Sequence, residues 1–161
     1  MGIEIERKFL VAGEGWRRVA RGPGLPIRQG YLSAGAGPAV VRVRIAGPQG
    51  FLTIKGPGGL VRAEFEYPIP LDDAQSLLAL CTAPPLAKTR HEVPHEGHLW
   101  TVDVFEAPER LAGLVLAEVE LPDAKAAPPL PDWLGPEVTE DPRYTNAALA
   151  KSGPPAGAVK A

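Results

Sequence analysis

The chain has 161 residues, of which 45% are hydrophobic, and its 17 basic and 19 acidic residues give a formal net charge of −2. This length is typical of one globular domain, and the near-neutral charge argues against a nucleic-acid or acidic-membrane binder that depends on overall charge. No apolar run approaches the roughly 20 residues of a membrane span, and the charged N-terminus lacks the apolar region of a signal peptide, so we expect a cytoplasmic protein without a membrane partner. The single cysteine, Cys81, excludes an intrachain disulfide and is expected to be a small core residue.

Alternation of apolar and polar residues dominates the chain and predicts β-strands. In chain order the predicted strands are Gly2–Val11, Leu25–Ser33, Ala39–Ala46, Phe51–Lys55, Leu60–Ile69, Ala87–Val93, His98–Phe105 and Val115–Leu121. Glycine- and proline-containing tetrapeptides at 47–50, 56–59 and 94–97 are predicted to be hairpin connections. Three further segments are predicted to be helical: Gly15–Arg21, Asp72–Cys81 and Asp141–Lys151.

This element content predicts the fold class. Eight strands with antiparallel connections and few helices indicate a mainly β protein of the α+β class. We expect an eight-stranded closed antiparallel barrel, because closure removes exposed sheet edges. Residues 1–151 are predicted to form this single domain, and the small-residue segment 152–161 is predicted to be a flexible tail.

Charged side chains recur in rows on these strands, because residues two apart share a face. Glu4, Glu6 and Lys8 form the first row, opposite an apolar face. The later rows are Arg42 with Arg44, Lys55 with Thr53, Arg62 with Glu64 and Glu66, Lys88 with Arg90 and Glu92, Asp103 with Thr101, and Glu118 with Glu120. One such row would be an ordinary solvent-exposed face. Their repetition predicts that the ionic rows face the barrel interior and the apolar rows face outward, beneath the helices.

The mixture of acids and bases indicates what such an interior would bind. Arginine and lysine side chains contact phosphate oxygens directly. Paired carboxylates hold hard divalent cations, which bridge to the same phosphates. The rows therefore predict a site for a polyanion that is bound together with metal ions.

The ordered set of rows resembles the CYTH domain, the triphosphate tunnel metalloenzyme superfamily, over residues 1 to about 150. The motifs that carry the resemblance are Glu4-x-Glu6-x-Lys8, Arg42-x-Arg44, Thr53-x-Lys55-Gly-Pro57, Arg62-x-Glu64-x-Glu66, Lys88-x-Arg90, Asp103 and Glu118-x-Glu120. The strings Gln29-Gly-Tyr31-Leu and Arg143-Tyr-x-Asn146 are similar to those of the short bacterial members.

The resemblance implies a tunnel that binds a triphosphate with Mg²⁺ or Mn²⁺, with two ions expected per site. The implied phosphate clamp is Lys8, Arg42, Arg44, Lys55, Arg62, Lys88 and Arg90. The implied metal ligands are Glu4, Glu6, Asp103, Glu118 and Glu120, while Glu64 and Glu66 are either ligands or orienting residues for the bases. The implied catalytic residues are Lys8, Tyr31 and Lys88, although Tyr31 is equally well explained as a barrel tyrosine with a satisfied hydroxyl.

The resemblance also implies an activity: hydrolysis of inorganic triphosphate to pyrophosphate and phosphate by a monomer or homodimer with no nucleic-acid partner. Two alternatives stay open. The same tunnel could act on an organic triphosphate, as the superfamily's thiamine triphosphatases and class IV adenylate cyclases do, or it could be a non-catalytic polyphosphate-binding module. The short chain and the lack of an obvious base-stacking aromatic row favour the smaller substrate.

One motif is rejected on structural grounds. His91-Glu-Val-Pro-His95 matches the His-Glu-x-x-His string of zinc proteases, whose two histidines must lie on one helical face. Pro94 breaks a helix interior, and the residues before it alternate like a strand. We therefore predict no zinc site here.

Overall fold

The structure is a computed structural model that describes residues 2–33 and 37–156. It contains nine strands: β1 Ile3–Val11, β2 Arg21–Ser33, β3 Val40–Ala46, β4 Gln49–Lys55, β5 Val61–Ile69, β6 Leu86–His95, β7 His98–Ala107, β8 Val115–Glu120 and β9 Leu134–Glu137. The α-helices are α1 Leu71–Leu78 and α2 Asn146–Ser152, and short 3₁₀ turns lie at Gly15–Arg18, Glu109–Leu111 and Pro142–Tyr144. Residues 157–161 of the predicted flexible tail lie outside the described residues.

Eight of the strands form the predicted closed antiparallel barrel. They pair in the order β5-β4-β3-β2-β6-β7-β8-β1, and β1 pairs with β5 to complete the ring. Strand β1 closes the barrel. Along one of its edges, the two halves of the strand pair with different strands. Its first residues pair with β5, and the later stretch Phe9–Val11 pairs with β9. Its other side pairs with β8 through Glu6–Leu10.

The helical predictions are partly wrong, and each error has a local cause. The predicted helix Gly15–Arg21 is a 3₁₀ turn that ends at Arg18, and β2 already begins at Arg21. The predicted helix Asp141–Lys151 is interrupted at Thr145, whose backbone is extended. The Thr145 hydroxyl accepts a hydrogen bond from the backbone N–H of Ala148. This N-cap starts α2 anew. Strand β9, only four residues long and with Gly-Pro at its centre, was not predicted.

The hairpin between β6 and β7 is tighter than predicted. The turn consists of Glu96 and Gly97 alone, and both have positive φ, which is the geometry of a two-residue turn that matches strand twist. Strand β6 therefore extends to His95 and contains the whole His91–His95 string. The His91 ring packs 5.0 Å from the Trp16 ring, and His95 pairs with Glu96. The rejection of a helical zinc motif is confirmed.

Apolar rows face outward, as predicted, and pack beneath the surrounding segments. One outer cluster joins β1, β6, β7 and β8 to Trp16 and Trp133, and α1 covers β3 through Ala74 and Leu78. The covering is incomplete, however, because Val61, Phe65 and Tyr67 on β5 stay about half exposed. Cys81 is half-buried at the edge of the α1 cluster. Within the described ranges, no helix is long and apolar enough to cross a membrane.

The barrel interior changes character along its length. Beyond the charged side chains, the same inward faces carry apolar residues that pack around α2. We call this cluster the plug: Leu10, Tyr31, Leu86, Phe105, Leu111, Leu114, Leu116, Val138, Tyr144, Leu149 and Ala150. The plug fills one end of the barrel, so the charged part of the interior is a cavity with an apolar floor.

The plug generates a stability prediction. Leu149 on α2 is fully buried, so Leu149→Ala should lower the free energy of unfolding by roughly 2–5 kcal/mol through lost burial and a new cavity. Urea unfolding followed by circular dichroism measures this loss. The matched control is Leu130→Ala, whose side chain is 50% exposed and whose loss should stay within about 0.5 kcal/mol. Equal losses for the two variants would contradict a packed plug.

Candidate functional site

The charged part of the interior is a cavity of about 550 Å³. Every site residue that the sequence predicted lines it, with the exception of Asp103. Loop 56–59 and segment 139–142 add to the lining, and Tyr31 belongs to both the cavity wall and the plug. Because alternate residues of each strand face inward, charged rows from distant parts of the sequence line the same cavity.

Strand pairing sets which charges meet. Glu6 lies opposite Glu120 and Lys8 lies opposite Glu118 on the β1–β8 ladder. Across the β4–β5 ladder Lys55 lies opposite Glu64. The antiparallel register thus places like charges opposite each other at Glu6 and opposite charges opposite each other at Lys8 and Lys55.

One group of carboxylates surrounds Lys55. Its Nζ lies 2.9 Å from Glu4 Oε2 and 3.4 Å from Glu64 Oε2. Burial would raise the pKa of Glu4, but the hydrogen bond with Glu64 and the charge of Lys55 lower it to about 2. The same hydrogen bond, together with burial, raises the pKa of Glu64 to about 7. The pair therefore shares a proton near neutral pH, with Glu4 as the charged partner.

Glu6 and Glu118 form a second carboxylate pair. Burial, followed by the charge and hydrogen bond of Glu118, raises the pKa of Glu6 well above its usual range. Burial also opposes ionisation of Glu118, but the charge of Lys8 and the hydrogen bond from Glu6 lower its pKa well below the usual range. Ionisation of both carboxyl groups at once is therefore disfavoured, and a proton shared between them would relieve the repulsion.

The carboxylate pairs fit hard divalent cations. A cation would replace the shared proton between Glu6 and Glu118 and relieve the repulsion between their charges. The Oε2 atom of Glu4 is buried without a hydrogen-bond partner, although it touches Lys55. Among residues 2–33 and 37–156 no three candidate ligands already surround one point, so metal binding would draw on the pairs, with Glu120 beside Glu6.

Asp103 lies behind the wall in a buried ion-pair cluster. Its Oδ2 is 2.7 Å from Lys88 Nζ, and it accepts two hydrogen bonds from Arg90, at 2.8 and 2.9 Å. Burial raises the pKa of Asp103, but the two cations outweigh it and hold the pKa below the usual range. Both carboxylate oxygens thus contact cationic side chains, and the contacts favour a role in holding Lys88 and Arg90 over the predicted role as a metal ligand.

The other bases are held by neutral and acidic partners. Arg42 donates to Thr53 at 3.1 Å and lies 3.4 Å from Glu66, which also accepts from the Thr53 hydroxyl. Arg62 donates to the Gly56 carbonyl at 2.7 Å. These contacts place Glu66 where it can orient Arg42, one of the two roles predicted for it.

Two side chains of the site received no role from the sequence. Gln29 is fully buried, and its amide contacts Arg44, Tyr31 and Asn146. Asn146, at the start of α2, also accepts from Lys88 Nζ at 2.9 Å. Both residues lie in motifs that resemble those of the short bacterial family members. Gln29 is two residues from Tyr31 on the same strand, so alternation would have placed Gln29 on the inward face as well. No local pattern indicates that Gln29 and Asn146 meet.

The model of the CYTH domain matches residues 2–148. The chain belongs to the CYTH domain family. Its relatives include an inorganic triphosphatase of Acetivibrio thermocellus, 44% identical over 154 residues that cover 94% of this chain and 96% of that protein. An inorganic triphosphatase of Nitrosomonas europaea is 40% identical over 157 residues, which cover 94% and 99% of the two chains.

A solved structure shows the same fold. The crystal structure of the inorganic triphosphatase NE1496 matches with a TM-score of 0.66 at 37% identity and covers 94% of this chain and 97% of that chain. The charged cavity of this chain therefore lies in a fold that is shared with a triphosphatase.

The Asp103 cluster generates a prediction about stability. Asp103→Asn removes the negative charge that faces the buried Lys88 and the half-buried Arg90, and it should lower the free energy of unfolding by about 3–5 kcal/mol. Chemical denaturation at neutral pH measures the change. Asp132→Asn, at an exposed position, is the matched control and should change stability by no more than about 0.5 kcal/mol. If Asp103→Asn is as mild as the control, the cluster is not a structural ion pair.

The Glu6–Glu118 pair generates a prediction about metal binding. Saturating Mg²⁺ or Mn²⁺ should raise the melting temperature by roughly 5–10 °C, because a cation that binds only the folded chain stabilises it. Glu6→Gln should reduce this rise in melting temperature. Calorimetry measures the rise for each variant by comparing its metal-saturated sample with its metal-free sample. Glu109→Gln, at an exposed position, should respond like the wild type. A full shift in Glu6→Gln would remove this pair from the metal site.

Proposed function

We propose that this chain hydrolyses inorganic triphosphate to pyrophosphate and phosphate. The observation that carries the proposal is the cavity itself, in which a set of bases and two carboxylate pairs line one space. The names of the relatives support the same reaction. In this reaction the oxygen of a water molecule bonds to the terminal phosphorus, the bridging P–O bond breaks, and pyrophosphate leaves with the bridging oxygen.

The bases provide the phosphate clamp of the proposal. Arg42, Arg44, Lys55 and Arg62 lie on β3, β4 and β5 and present fixed donors to phosphate oxygens. Because they are already oriented by neighbouring side chains, little reorganisation is needed when charge develops on the leaving pyrophosphate. Arg44 is a cation even though burial and the nearby Arg42 and Arg90 lower its pKa to about 9.

Lys8, Tyr31 and Lys88 are the proposed catalytic residues. They line the inner part of the cavity, near the plug. Burial lowers the pKa of Lys88 to about 7 although Asp103 opposes that shift. An ammonium whose pKa is lowered toward neutrality gives up a proton more readily during phosphoryl transfer.

Divalent cations are part of the proposal, with Mg²⁺ or Mn²⁺ held by Glu4, Glu6, Glu118 and Glu120 and with two ions per site. When bound, they would neutralise charge on the polyphosphate and lower the pKa of water. Glu64 lies beside Glu4 and is either a further ligand or the group that orients Lys55.

The shape of the cavity favours a substrate without a large organic group. The plug closes one end of the barrel, and Tyr31 is the only aromatic residue in the described part of the lining. A thiamine or adenine ring would need room and a stacking surface. For this reason inorganic triphosphate is preferred over thiamine triphosphate and over cyclisation of ATP.

We retain one domain over residues 1–151, a cytoplasmic location and a monomer or homodimer as parts of the proposal.

A phosphate-release assay tests the proposed function. Inorganic triphosphate, thiamine triphosphate and ATP would be compared at equal concentration, each with Mg²⁺, Mn²⁺ or Ca²⁺ and with a chelator control. We expect fastest phosphate release from inorganic triphosphate with Mg²⁺ or Mn²⁺. Formation of cyclic AMP and pyrophosphate from ATP would indicate a cyclase. Tight triphosphate binding without phosphate release under any cation would indicate a binding module.

A further inference from the structure

A pair of amide side chains contacts the bases of the cavity, and Asn146 of this pair lines the cavity itself. Gln29 on β2 and Asn146 at the start of α2 are 117 residues apart in the chain, and Gln29 Nε2 donates to Asn146 Oδ1 at 3.2 Å. Gln29 Nε2 also donates to the Tyr31 hydroxyl at 3.0 Å, and Gln29 Oε1 accepts from Arg44 Nε at 2.8 Å. Asn146 Oδ1 then accepts from Lys88 Nζ at 2.9 Å. The amide pair thus links Arg44, Tyr31 and Lys88.

The direction of every hydrogen bond in this chain of contacts is fixed. A guanidinium can only donate, so Gln29 must present its oxygen to Arg44 and its NH₂ group to the other side. Asn146 must therefore present its oxygen to Gln29. That same oxygen is then correctly oriented to accept from the Lys88 ammonium, which also can only donate. Arg44 in this way determines how Asn146 faces Lys88.

Asn146 restricts Lys88 in a way that the Asp103 ion pair alone does not. An ammonium has three N–H donors. One points to Asp103 Oδ2 at 2.7 Å and one to Asn146 Oδ1 at 2.9 Å. Two fixed acceptors set the rotation of the ammonium, so the third N–H has a defined direction. Lys88 lines the cavity although it is only 1% exposed, and its Nζ lies 5.4 Å from the centroid of the Phe105 ring. Under the proposal below, the third N–H is the one that a bound anion meets.

The segment around Asn146 also holds the other catalytic lysine. Lys8 Nζ donates to the backbone carbonyl of Tyr144 at 3.1 Å. Thr145 supplies the cap of α2, so the Asn146 side chain is not required to start the helix. Its hydrogen bonds are instead made to Gln29 and Lys88.

We propose that Asn146 is a positioning residue, which is locked by Gln29 and aims the Lys88 ammonium at the substrate. The proposal rests on the proposed function for the identity of that substrate, an inorganic triphosphate. It makes the C-terminal segment part of the catalytic apparatus in addition to its role in the plug.

Steady-state kinetics with triphosphate and Mg²⁺ test the proposal. Asn146→Ala removes the acceptor of Lys88, and kcat should fall by about 10²-fold while KM changes much less, since misplacement of a reacting group acts on the transition state. Asn146→Asp keeps the accepting oxygen, so kcat should recover relative to Asn146→Ala even if the added negative charge raises KM. The matched control is Ser152→Ala, at an exposed position on the same helix, and it should keep the wild-type kcat.

A second measurement reports on Lys88 without any turnover. In ¹⁵N-labelled protein the buried Lys88 ammonium should give an observable, slowly exchanging signal, which is assigned by its loss in Lys88→Met. Asn146→Ala should shift this signal or speed its hydrogen exchange, and Ser152→Ala should leave it unchanged. When the wild-type protein is active, the proposal requires both the fall in kcat and the change in the Lys88 signal, and either one without the other overturns it.

The two proposals fail in different ways. If the wild-type protein releases no phosphate from triphosphate, the proposed function fails, and the Lys88 signal alone then decides whether Asn146 positions the ammonium. If the wild type is active but Asn146→Ala keeps its kcat and its Lys88 signal, the positioning role fails and the proposed function stands.

Discussion

Burial of charge inside a closed barrel is the constraint on which the rest of this structure depends. Closure sends alternate residues of every strand inward, and an ion that is moved from water into such a space needs compensating partners. Asp103 meets this requirement for Lys88 and Arg90, since it contacts both. The outer apolar rows, packed around Trp100 and Val43, supply the burial that offsets the cost of the charged interior.

The acids and the bases of the cavity differ in how completely they are satisfied. Most bases have a defined partner, such as Thr53 and Glu66 for Arg42. The carboxylates Glu6 and Glu118 instead repel each other when both are ionised. The basic side chains of this interior are held in place, whereas its carboxylates repel one another. Such an interior suits a ligand that brings anionic oxygens to the bases and cations to the carboxylates. A polyphosphate with its counterions has that composition.

The sequence was sufficient for features that depend on local periodicity. A period of two places Glu4, Glu6 and Lys8 on one face wherever β1 lies, so the charged rows and the barrel were predictable. Features that depend on contacts between distant segments could not be predicted from the sequence. The pairing of Gln29 with Asn146 and the addition of β9 to β1 depend on the completed fold. Asp103 has the parity of a wall residue and lies between Arg90 and Leu116 in the sheet, but its contacts with Lys88 and Arg90 leave it buried.

The double pairing of β1 has a consequence for how the molecule forms. During synthesis β1 is made before β8, which lies more than 100 residues later, so the second edge of β1 stays uncovered until β8 arrives. Closing such a long loop is slow, because chain entropy is lost before the contacts form. Until then β1 has an exposed edge, and its row of carboxylates stays in water. The chamber therefore cannot close before β8 has been made, and a nascent chain that stops short of β8 carries no closed site.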